Sequence, residues 1–237
     1  MKKKNLLKWA GIFFFVLLIV GILYYVQWKH PSSTPKEDIH IYVPTYSIRE
    51  IDSYLTPLEC DAIMRLATPN LEPSLVYNDG KKDAVDKSNR QSDQAWLKNE
   101  THPVVMKISQ LVAETSGYPM ENQEDLQVVR YEPGGFFNPH YDACEGDKSF
   151  CERMDGKSGP RLWTYIIYLN DDFNKGETVF PKLNRKVVPK KGKVVIFQST
   201  DEASGKLIFE SLHGGEPVEN GNKWICNKWI RSHKFIA

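Results

Sequence analysis

The sequence feature that most constrains the fold is a series of short β-branched and aromatic runs that begins at Leu126. Turn residues separate these runs, and runs of this length and composition are typical of β-strands. The predicted strands cover residues 126–131, 162–170, 178–181, 193–198, 207–212 and 222–230. So many short strands in succession favour two facing sheets around one core. We therefore predict a double-stranded β-helix, or jelly roll.

Two helices are predicted before the strands. Thr56 and Glu59 form a capping box around Pro57, a residue that suits the first helical position. A second helix is predicted from about Pro103, because apolar residues recur at helical spacing until Gly117 ends it. The predicted fold class is therefore α+β, with N-terminal helices supporting the jelly roll. Residues 74–89 are polar and predict a long mobile loop, with a disordered surface connection as the alternative.

A stretch without charged residues from 10 to 26 lies near the N-terminus. Its length is close to the roughly 20 residues that a membrane-spanning helix needs. Lysines are more frequent before the stretch than after it, which places the short N-terminus in the cytosol. We therefore expect a single-pass type II protein of the endoplasmic reticulum or Golgi with a lumenal domain. The expected divisions are a cytosolic N-terminus at 1–8, a transmembrane signal-anchor at 9–28, a linker at 29–45 and one folded domain at 46–237.

Composition limits the possible partners. The chain has 237 residues, of which 41% are hydrophobic, so one sizeable core can form after the N-terminal segment is set aside. The formal net charge is only +1, and the lysines are spread along the sequence without a basic stripe. Since phosphate binding depends on clustered positive charge, nucleic acid is not an expected partner.

The four cysteines are too few for a disulfide scaffold. Cys144 and Cys151 flank a short polar stretch, and in an oxidising lumen we expect them to form a disulfide. Metal ligation by Cys144 is the alternative. Cys60 and Cys226 lie in amphipathic segments and are expected to be buried thiols.

An H-x-D pair, His140 and Asp142, predicts a metal site. Residues two apart in a strand point to the same side, so both side chains can face one ion. With His213 as a third ligand, the set has the composition of the two-histidine, one-carboxylate site of non-haem Fe(II) oxygenases, which leaves positions free for co-substrate and dioxygen. Asn220-Gly221 follows His213 and predicts a hairpin that returns Lys223 antiparallel beside the His213 strand. A buried Lys223 would then need an anionic partner, such as the far carboxylate of a dicarboxylic 2-oxo acid.

Several motifs in this order resemble the 2-oxoglutarate- and iron-dependent prolyl 4-hydroxylase family. They are YEPGGFFNPHYD at 131–142, RLWT at 161–164, YLN at 168–170, GETVFP at 176–181, LHGG at 212–215, and KW through NKWI between 223 and 230. The resemblance extends from about Ile51 to the C-terminus. It implies a dioxygenase that hydroxylates prolyl residues at the 4-position in proline-rich or collagen-like polypeptides and releases succinate and CO2, and the uncharged stretch near the N-terminus would anchor this enzyme in the membrane.

The resemblance also implies roles for individual residues. His140, Asp142 and His213 would bind Fe(II), and 2-oxoglutarate would chelate it while Lys223 pairs with the distal carboxylate. Dioxygen would be the co-substrate, with ascorbate as a further cofactor. The remaining expected contacts are with the co-substrate at Tyr131, Thr178 and Tyr168, and with the peptide at Arg161 and Trp229. For Tyr168, packing in the core with a satisfied hydroxyl is an equal alternative.

Two departures from the family pattern concern specificity. Phe137 stands where many members carry tyrosine, and Lys175 replaces the first glycine of a Gly-Gly-Glu sequence. We expect neither departure to touch the metal ligands, but the first removes a hydroxyl near the substrate.

Two other readings remain open at this stage. The same cofactors could serve hydroxylation of lysine, another amino acid or a small molecule, although lysyl hydroxylases of the superfamily usually carry arginine in place of Lys223. A membrane-anchored jelly roll that binds without chemistry is the non-enzymatic reading, and the intact metal set argues against it. The sequence leaves the oligomeric state undetermined.

Overall fold

The computed structural model describes residues 46–78 and 81–236, with side chains described outside 77–84. Three α-helices are present in this part of the chain: α1 (Pro57–Ala67), α2 (Pro103–Ser116) and α3 (Lys148–Asp155). The expected capping box of α1 forms, because Thr56 and Glu59 each bond the other's backbone N–H. Gly117 ends α2 in a left-handed conformation, with φ at 77°. Helix α3 was not predicted from the sequence.

Sixteen β-strands are described. They are β1 (Arg49–Ile51), β2 (Glu72–Pro73), β3 (Val76–Asn78), β4 (Lys81–Ala84), β5 (Arg90–Gln91), β6 (Asp93–Leu97), β7 (Leu126–Tyr131), β8 (Phe136–His140), β9 (Arg161–Tyr168), β10 (Asn174–Lys175), β11 (Thr178–Phe180), β12 (Arg185–Val187), β13 (Val194–Gln198), β14 (His213–Gly215), β15 (Val218–Asn220) and β16 (Lys223–Arg231).

Two sheets dominate the architecture and confirm the jelly-roll type of fold. The major sheet has seven strands in the order β1-β13-β9-β16-β7-β6-β2. The minor sheet has five strands in the order β12-β11-β14-β8-β5. The pairings between these strands are antiparallel. Neighbouring strands are often distant in sequence, as expected where the chain alternates between two sheets.

The central strands of the major sheet are buried on both faces. On β9, Tyr165 and Ile167 pack into a cluster with helices α1 and α2. The alternate residues, Ile166 and Tyr168, pack into a second cluster with Phe180 and other residues of the minor sheet. This alternation follows from the two-residue period of a strand. The two helices therefore cover one face of the major sheet, while the other face and the minor sheet enclose the site.

Three local predictions were wrong. Residues 207–212 do not form a strand, since only Leu207 forms an isolated bridge and Phe209–Ser211 is a 3₁₀ turn. Strands β3 and β4 pair within the segment predicted as a loop. The Asn220-Gly221 turn does not produce the predicted hairpin, because β15 pairs with β10 whereas β16 enters the major sheet. Gly221, with φ at 79°, makes the turn that carries the chain between these strands.

Among the described residues, no helix has the length and apolar character needed to span a bilayer. The cytosolic segment 1–8, the signal-anchor 9–28 and the linker 29–45 expected from the sequence lie outside the described residues.

Candidate metal centre

One cavity of about 880 Å³ connects residues of both sheets. The minor sheet and the segment after β8 contribute His140, Asp142 and His213. The major sheet contributes Tyr131 from β7 and a row of alternate residues from β16, namely Lys223, Ile225, Asn227, Trp229 and Arg231. Trp229 and Lys223 therefore share one strand face, as the even offset between them requires.

The three candidate ligands come together although they lie on different segments. His140 is the last residue of β8, His213 is the first of β14, and these two residues are direct cross-strand partners. Asp142 lies just beyond β8 rather than within it. Its Oδ1 atom is 3.7 Å from His140 Nε2, and its Oδ2 atom is 3.6 Å from His213 Nε2. The ligand atoms all lie within 4.8 Å of one another, a spacing that fits a single ion.

Backbone carbonyls orient both imidazoles. His140 Nδ1 lies 2.9 Å from the Asn138 carbonyl oxygen, and His213 Nδ1 lies 2.9 Å from that of Ser211. A carbonyl can only accept, so the proton of each ring belongs on Nδ1 and the Nε2 lone pair faces the other ligands. Aromatic rings fix the planes further, since Phe137 stacks on His140 at 3.6 Å between centroids. The expectation that the departure at Phe137 does not touch the metal ligands was therefore wrong. Both histidines are thus prepared to bind a metal through Nε2.

The Asp142 carboxylate is held by a buried hydroxyl. Thr164 donates to Oδ2 at 2.8 Å, and Ser199 lies 2.9 Å from the same Thr164 oxygen. Burial alone would raise the pKa of Asp142, but His213, His140 and Arg161 outweigh burial and lower it. Burial and the neighbouring His213 lower the pKa of His140. The set therefore offers one ionised carboxylate and a neutral imidazole, the forms that ligate a divalent ion.

Lys223 lies in the cavity and forms no ion pair within the described part of the chain. Its side chain is 2% exposed, and Nζ donates to the Gly176 carbonyl at 2.7 Å. Burial lowers its pKa to about 8, an effect that Glu177 and Glu216 only partly offset. A buried ammonium group with a carbonyl as its hydrogen-bond partner favours an anion. The distal carboxylate of a dicarboxylic acid would fit this requirement.

The predicted co-substrate residues surround Lys223. Tyr131 is its cross-strand partner, and its ring centre lies 5.1 Å from Lys223 Nζ. Thr178 also lines the cavity. Tyr168 is fully buried behind it and donates to Thr178 Oγ1 at 2.6 Å, which is the arrangement of a core tyrosine with a satisfied hydroxyl. Tyr168 therefore lies behind Thr178 and Lys223, with its ring centre 5.9 Å from Lys223 Nζ.

Arg161 and Trp229 form a stacked pair on the cavity wall. The Arg161 guanidinium carbon lies 3.8 Å from the Trp229 ring centre. Arg161 also donates to both oxygens of buried Glu124, from Nε at 2.6 Å and from Nη2 at 2.8 Å. The same carboxylate accepts from Arg231 Nε at 2.6 Å. Glu124 thus holds two arginines in fixed positions, a role that the sequence did not reveal.

Arg90 is a second residue that sequence reasoning missed. It is 6% exposed, lines the cavity, and lies over the Phe137 ring at 4.6 Å. Its Nε donates to Ser92 at 2.9 Å. The only sequence signal was an arginine after a polar stretch, which is too common to indicate a site. Arg90 places a positive charge near Tyr131 and Asp142.

The cysteines divide into a bonded pair and two thiols. Cys144 and Cys151 form a disulfide with Cα atoms 5.5 Å apart, and Cys144 lines the cavity two residues after Asp142. This bond rules out Cys144 as a free thiolate ligand in this structure. Cys60 and Cys226 are both buried thiols.

Comparison with known proteins identifies the family. The model of the 2OG-Fe(II) oxygenase superfamily matches residues 126–231, which include every candidate ligand and Lys223. A protein of Acanthamoeba polyphaga mimivirus, provisionally named a prolyl 4-hydroxylase, is 37% identical over 185 residues, covering 78% of this chain and 74% of its own length. Human prolyl 4-hydroxylase subunit alpha-1 is 33% identical over 176 residues, or 74% of this chain, which matches only 33% of that subunit's length.

The solved structures agree. The viral collagen prolyl hydroxylase of Paramecium bursaria Chlorella virus-1, in complex with 2-oxoglutarate, superposes with a TM-score of 0.63 at 33% identity, over 78% of this chain and 95% of that one. A Pseudomonas putida prolyl-4-hydroxylase shares the fold with a TM-score of 0.54 at 17% identity. The fold, the ligand geometry and these similarities show that the chain is a prolyl hydroxylase-type enzyme that belongs to the prolyl 4-hydroxylase family of 2OG-Fe(II) oxygenases.

Proposed function

We propose that this chain hydroxylates prolyl residues at the 4-position in extended, proline-rich or collagen-like polypeptides, with release of succinate and CO2. The observation that carries the proposal is the shared cavity: three metal-ligand side chains, buried Lys223 and the Arg161–Trp229 pair all line it. A cation site, an anion site and an aromatic wall in one cavity suit a metal, a dicarboxylic co-substrate and a peptide together.

Separate residues would bind the metal and the co-substrate. His140, Asp142 and His213 would hold Fe(II), and Lys223 would pair with the distal carboxylate of 2-oxoglutarate, with Tyr131 and Thr178 beside it. Iron with 2-oxoglutarate and dioxygen supplies the oxidising chemistry, which no side chain could perform. Thr164 keeps one oxygen of Asp142 occupied, which favours binding of the metal through the other oxygen. The chain otherwise positions reactants and excludes water.

The substrate side of the cavity suits an extended prolyl chain. Proline fixes φ near −65° and favours polyproline II, so such a peptide loses little conformational entropy on binding. Aromatic walls such as Trp229 are the usual surface for this conformation. Arg161 is held by Glu124 through two of the five N–H groups of its guanidinium, so it would orient the indole and could offer one of the other N–H groups to a peptide carbonyl. The collagen prolyl hydroxylase named above supports this substrate class.

Membrane anchoring is also proposed, with the domain in the lumen of the endoplasmic reticulum or Golgi. The uncharged stretch at residues 10–26 and the lysines before it support this topology. The Cys144–Cys151 disulfide is consistent with an oxidising compartment. We expect protease added to sealed microsomes to spare everything after about residue 30. Digestion of the domain without detergent would reverse the proposed topology.

The direct test uses the full-length chain in mild detergent with Fe(II), 2-oxoglutarate and ascorbate as the proposed reductant. A poly-proline peptide and a Pro-Pro-Gly repeat peptide are incubated in parallel, hydrolysed, and analysed for hydroxyproline isomers. We expect 4-hydroxyproline together with succinate. Formation of 3-hydroxyproline or hydroxylysine would overturn the assignment, and succinate without hydroxyproline would indicate a different substrate.

A further inference from the structure

Helix α3 forms a part of the cavity wall that lies outside the metal ligands and the co-substrate residues. Phe150, Met154 and Asp155 line the same cavity as the metal ligands. Phe150 and Met154 are four residues apart, so they lie on one face of the helix. Met154 is 37% exposed, and Phe150 is half-buried. The helix therefore presents a pair of apolar side chains at the cavity.

This short helix is fastened at both ends. At its N-terminus Asp147 accepts from the Phe150 backbone N–H at 2.9 Å, and Cys151 is bonded to Cys144. At its C-terminus Asp155 forms an ion pair with Arg231 Nη1 at 3.3 Å. Helices of this length have little stability in isolation. The disulfide and the Arg231 contact are therefore what fix the position of its apolar face.

The disulfide also links the helix to the metal centre. Cys144 follows the ligand Asp142 by two residues, so the bond sets the distance between Phe150 and the metal ligands through a short covalent path. The Phe150 ring lies back against this loop, since a Cβ atom on Gly146 would lie 2.6 Å from it. Gly146 is the residue that permits this close packing.

The cavity is large enough for an occupant beside the co-substrate. Its volume of about 880 Å³ lies near the upper end of the range for pockets that bury drug-sized ligands. A five-carbon acid between Lys223 and the metal ligands would leave the region along α3 and Trp229 open. An apolar helix face next to that region fits an apolar side chain of an extended peptide.

We propose that Phe150 and Met154 form a subsite for an apolar residue adjacent to the target proline. The Cys144–Cys151 disulfide would hold this subsite at a fixed distance from the metal ligands. The proposal rests on the proposed function, since the occupant is the prolyl-rich substrate itself. It assigns the α3 segment to substrate selection rather than to metal or co-substrate binding.

The test measures peptide binding separately from turnover. The full-length chain is loaded with redox-inactive Zn(II) and 2-oxoglutarate, and the affinity for a fluorescent Pro-Pro-Gly repeat peptide is determined. We expect Phe150→Ala to weaken binding about tenfold, which corresponds to about 1.4 kcal/mol. Phe150→Leu, which keeps an apolar side chain, should restore most of the affinity. The Cys144→Ser/Cys151→Ser double variant should lose affinity to a similar degree.

Controls separate this role from a structural one. Lys148→Ala alters a side chain on the same helix that is 90% exposed, and it should leave peptide affinity unchanged. Zinc affinity, 2-oxoglutarate affinity and the melting temperature should stay close to wild type in Phe150→Ala. Unchanged peptide affinity in Phe150→Ala, or an equal loss of zinc binding, would overturn the proposal.

The two proposals fail in different ways. Peptide binding that depends on Phe150, without any hydroxyproline from the iron-loaded enzyme, would refute the proposed reaction and keep the subsite. Hydroxylation that proceeds with Phe150-independent binding would refute the subsite alone. A wild-type chain that does not bind the peptide would refute both.

Discussion

Strand β16 carries two buried lysines on opposite faces, and their surroundings differ in an instructive way. Lys223 faces the cavity, is 2% exposed, and has the Gly176 carbonyl as its described hydrogen-bond partner. Lys228 faces the helix-covered side and is 0% exposed. Its Nζ donates to the side-chain oxygen of Asn99 and to the Glu124 carbonyl at 2.5 Å. The odd offset between the two lysines places them on opposite faces.

Burial lowers the pKa of both lysines. It lowers the pKa of Lys223 to about 8 and that of Lys228 to about 7, with nearby acidic groups offsetting only part of each effect. The two lysines differ in whether a ligand can reach them. Lys228 is enclosed by protein, whereas Lys223 adjoins open volume that an anion could occupy. A buried lysine thus indicates an anion site only where a cavity meets it, and otherwise serves to satisfy buried carbonyls.

The largest loss of activity is expected from substitution of the metal ligands, which lie across the cavity from Lys223. We expect His140→Ala, Asp142→Ala and His213→Ala each to reduce hydroxylation to background, because each removes a proposed ligand of the iron. Circular dichroism should show a folded domain in all three. His233→Ala, at an exposed histidine, is the matched control. Normal turnover by any of the three ligand variants at saturating iron would contradict the proposed centre.

Lys223→Met should raise the 2-oxoglutarate requirement and should cost less stability than Lys228→Met, because it removes the donor of one carbonyl instead of two acceptors. Loss of the charge partner in a buried site costs about 2–5 kcal/mol, a change of about thirtyfold to several thousandfold in affinity. The KM for 2-oxoglutarate, measured by succinate release, reports this effect. Lys228→Met should leave that KM unchanged. An unaltered KM in Lys223→Met would make Lys223 a structural lysine like its neighbour.

Lys228→Met should lower the stability of the fold and leave co-substrate binding unchanged. It leaves the Asn99 side-chain oxygen and the Glu124 carbonyl without this donor, which costs about 1–3 kcal/mol for a buried acceptor. Urea unfolding of the metal-loaded protein should show this loss of stability, and the loss in Lys223→Met should be smaller, because only the Gly176 carbonyl loses a donor there. A Lys228→Met variant as stable as wild type would remove the structural side of the comparison.

A further expected effect is on the pH dependence of stability. The pKa of Lys228 is about 7 in the folded protein against about 10.4 in an unfolded chain, so between these values the unfolded state binds more protons. Stability should therefore rise as the pH increases from about 7 to about 9, by at most about 1.4 kcal/mol per unit from this group. Lys228→Met should flatten the rise. An unchanged slope of stability against pH in Lys228→Met would mean that the pKa of Lys228 is not lowered in the folded protein.

The sequence predicted the regular parts of the structure well. Strands β7, β9, β13 and β16 follow apolar and aromatic runs, helix α1 begins at its predicted capping box, and helix α2 begins at Pro103 as predicted. These signals are local, so a single sequence carries them.

The relative placement of segments could not be predicted in the same way. A strong Asn-Gly signal at Asn220 suggested that His213 and Lys223 share a hairpin, yet they lie in different sheets and meet only across the cavity. Tertiary pairing overrode the local turn preference. Supports such as Thr164, Glu124 and Arg90 escaped prediction because their function depends on contacts between segments distant in sequence.

The most direct test of the central claim compares stabilisation by 2-oxoglutarate across the two lysine variants. Each full-length protein is loaded with Zn(II), and its melting temperature is measured as 2-oxoglutarate is added. A ligand that binds only the folded state raises the melting temperature according to its affinity. We predict that 2-oxoglutarate stabilises wild type and Lys228→Met but has almost no effect on Lys223→Met at the same concentration. Equal stabilisation of both variants would contradict the assignment of Lys223 as the co-substrate anchor.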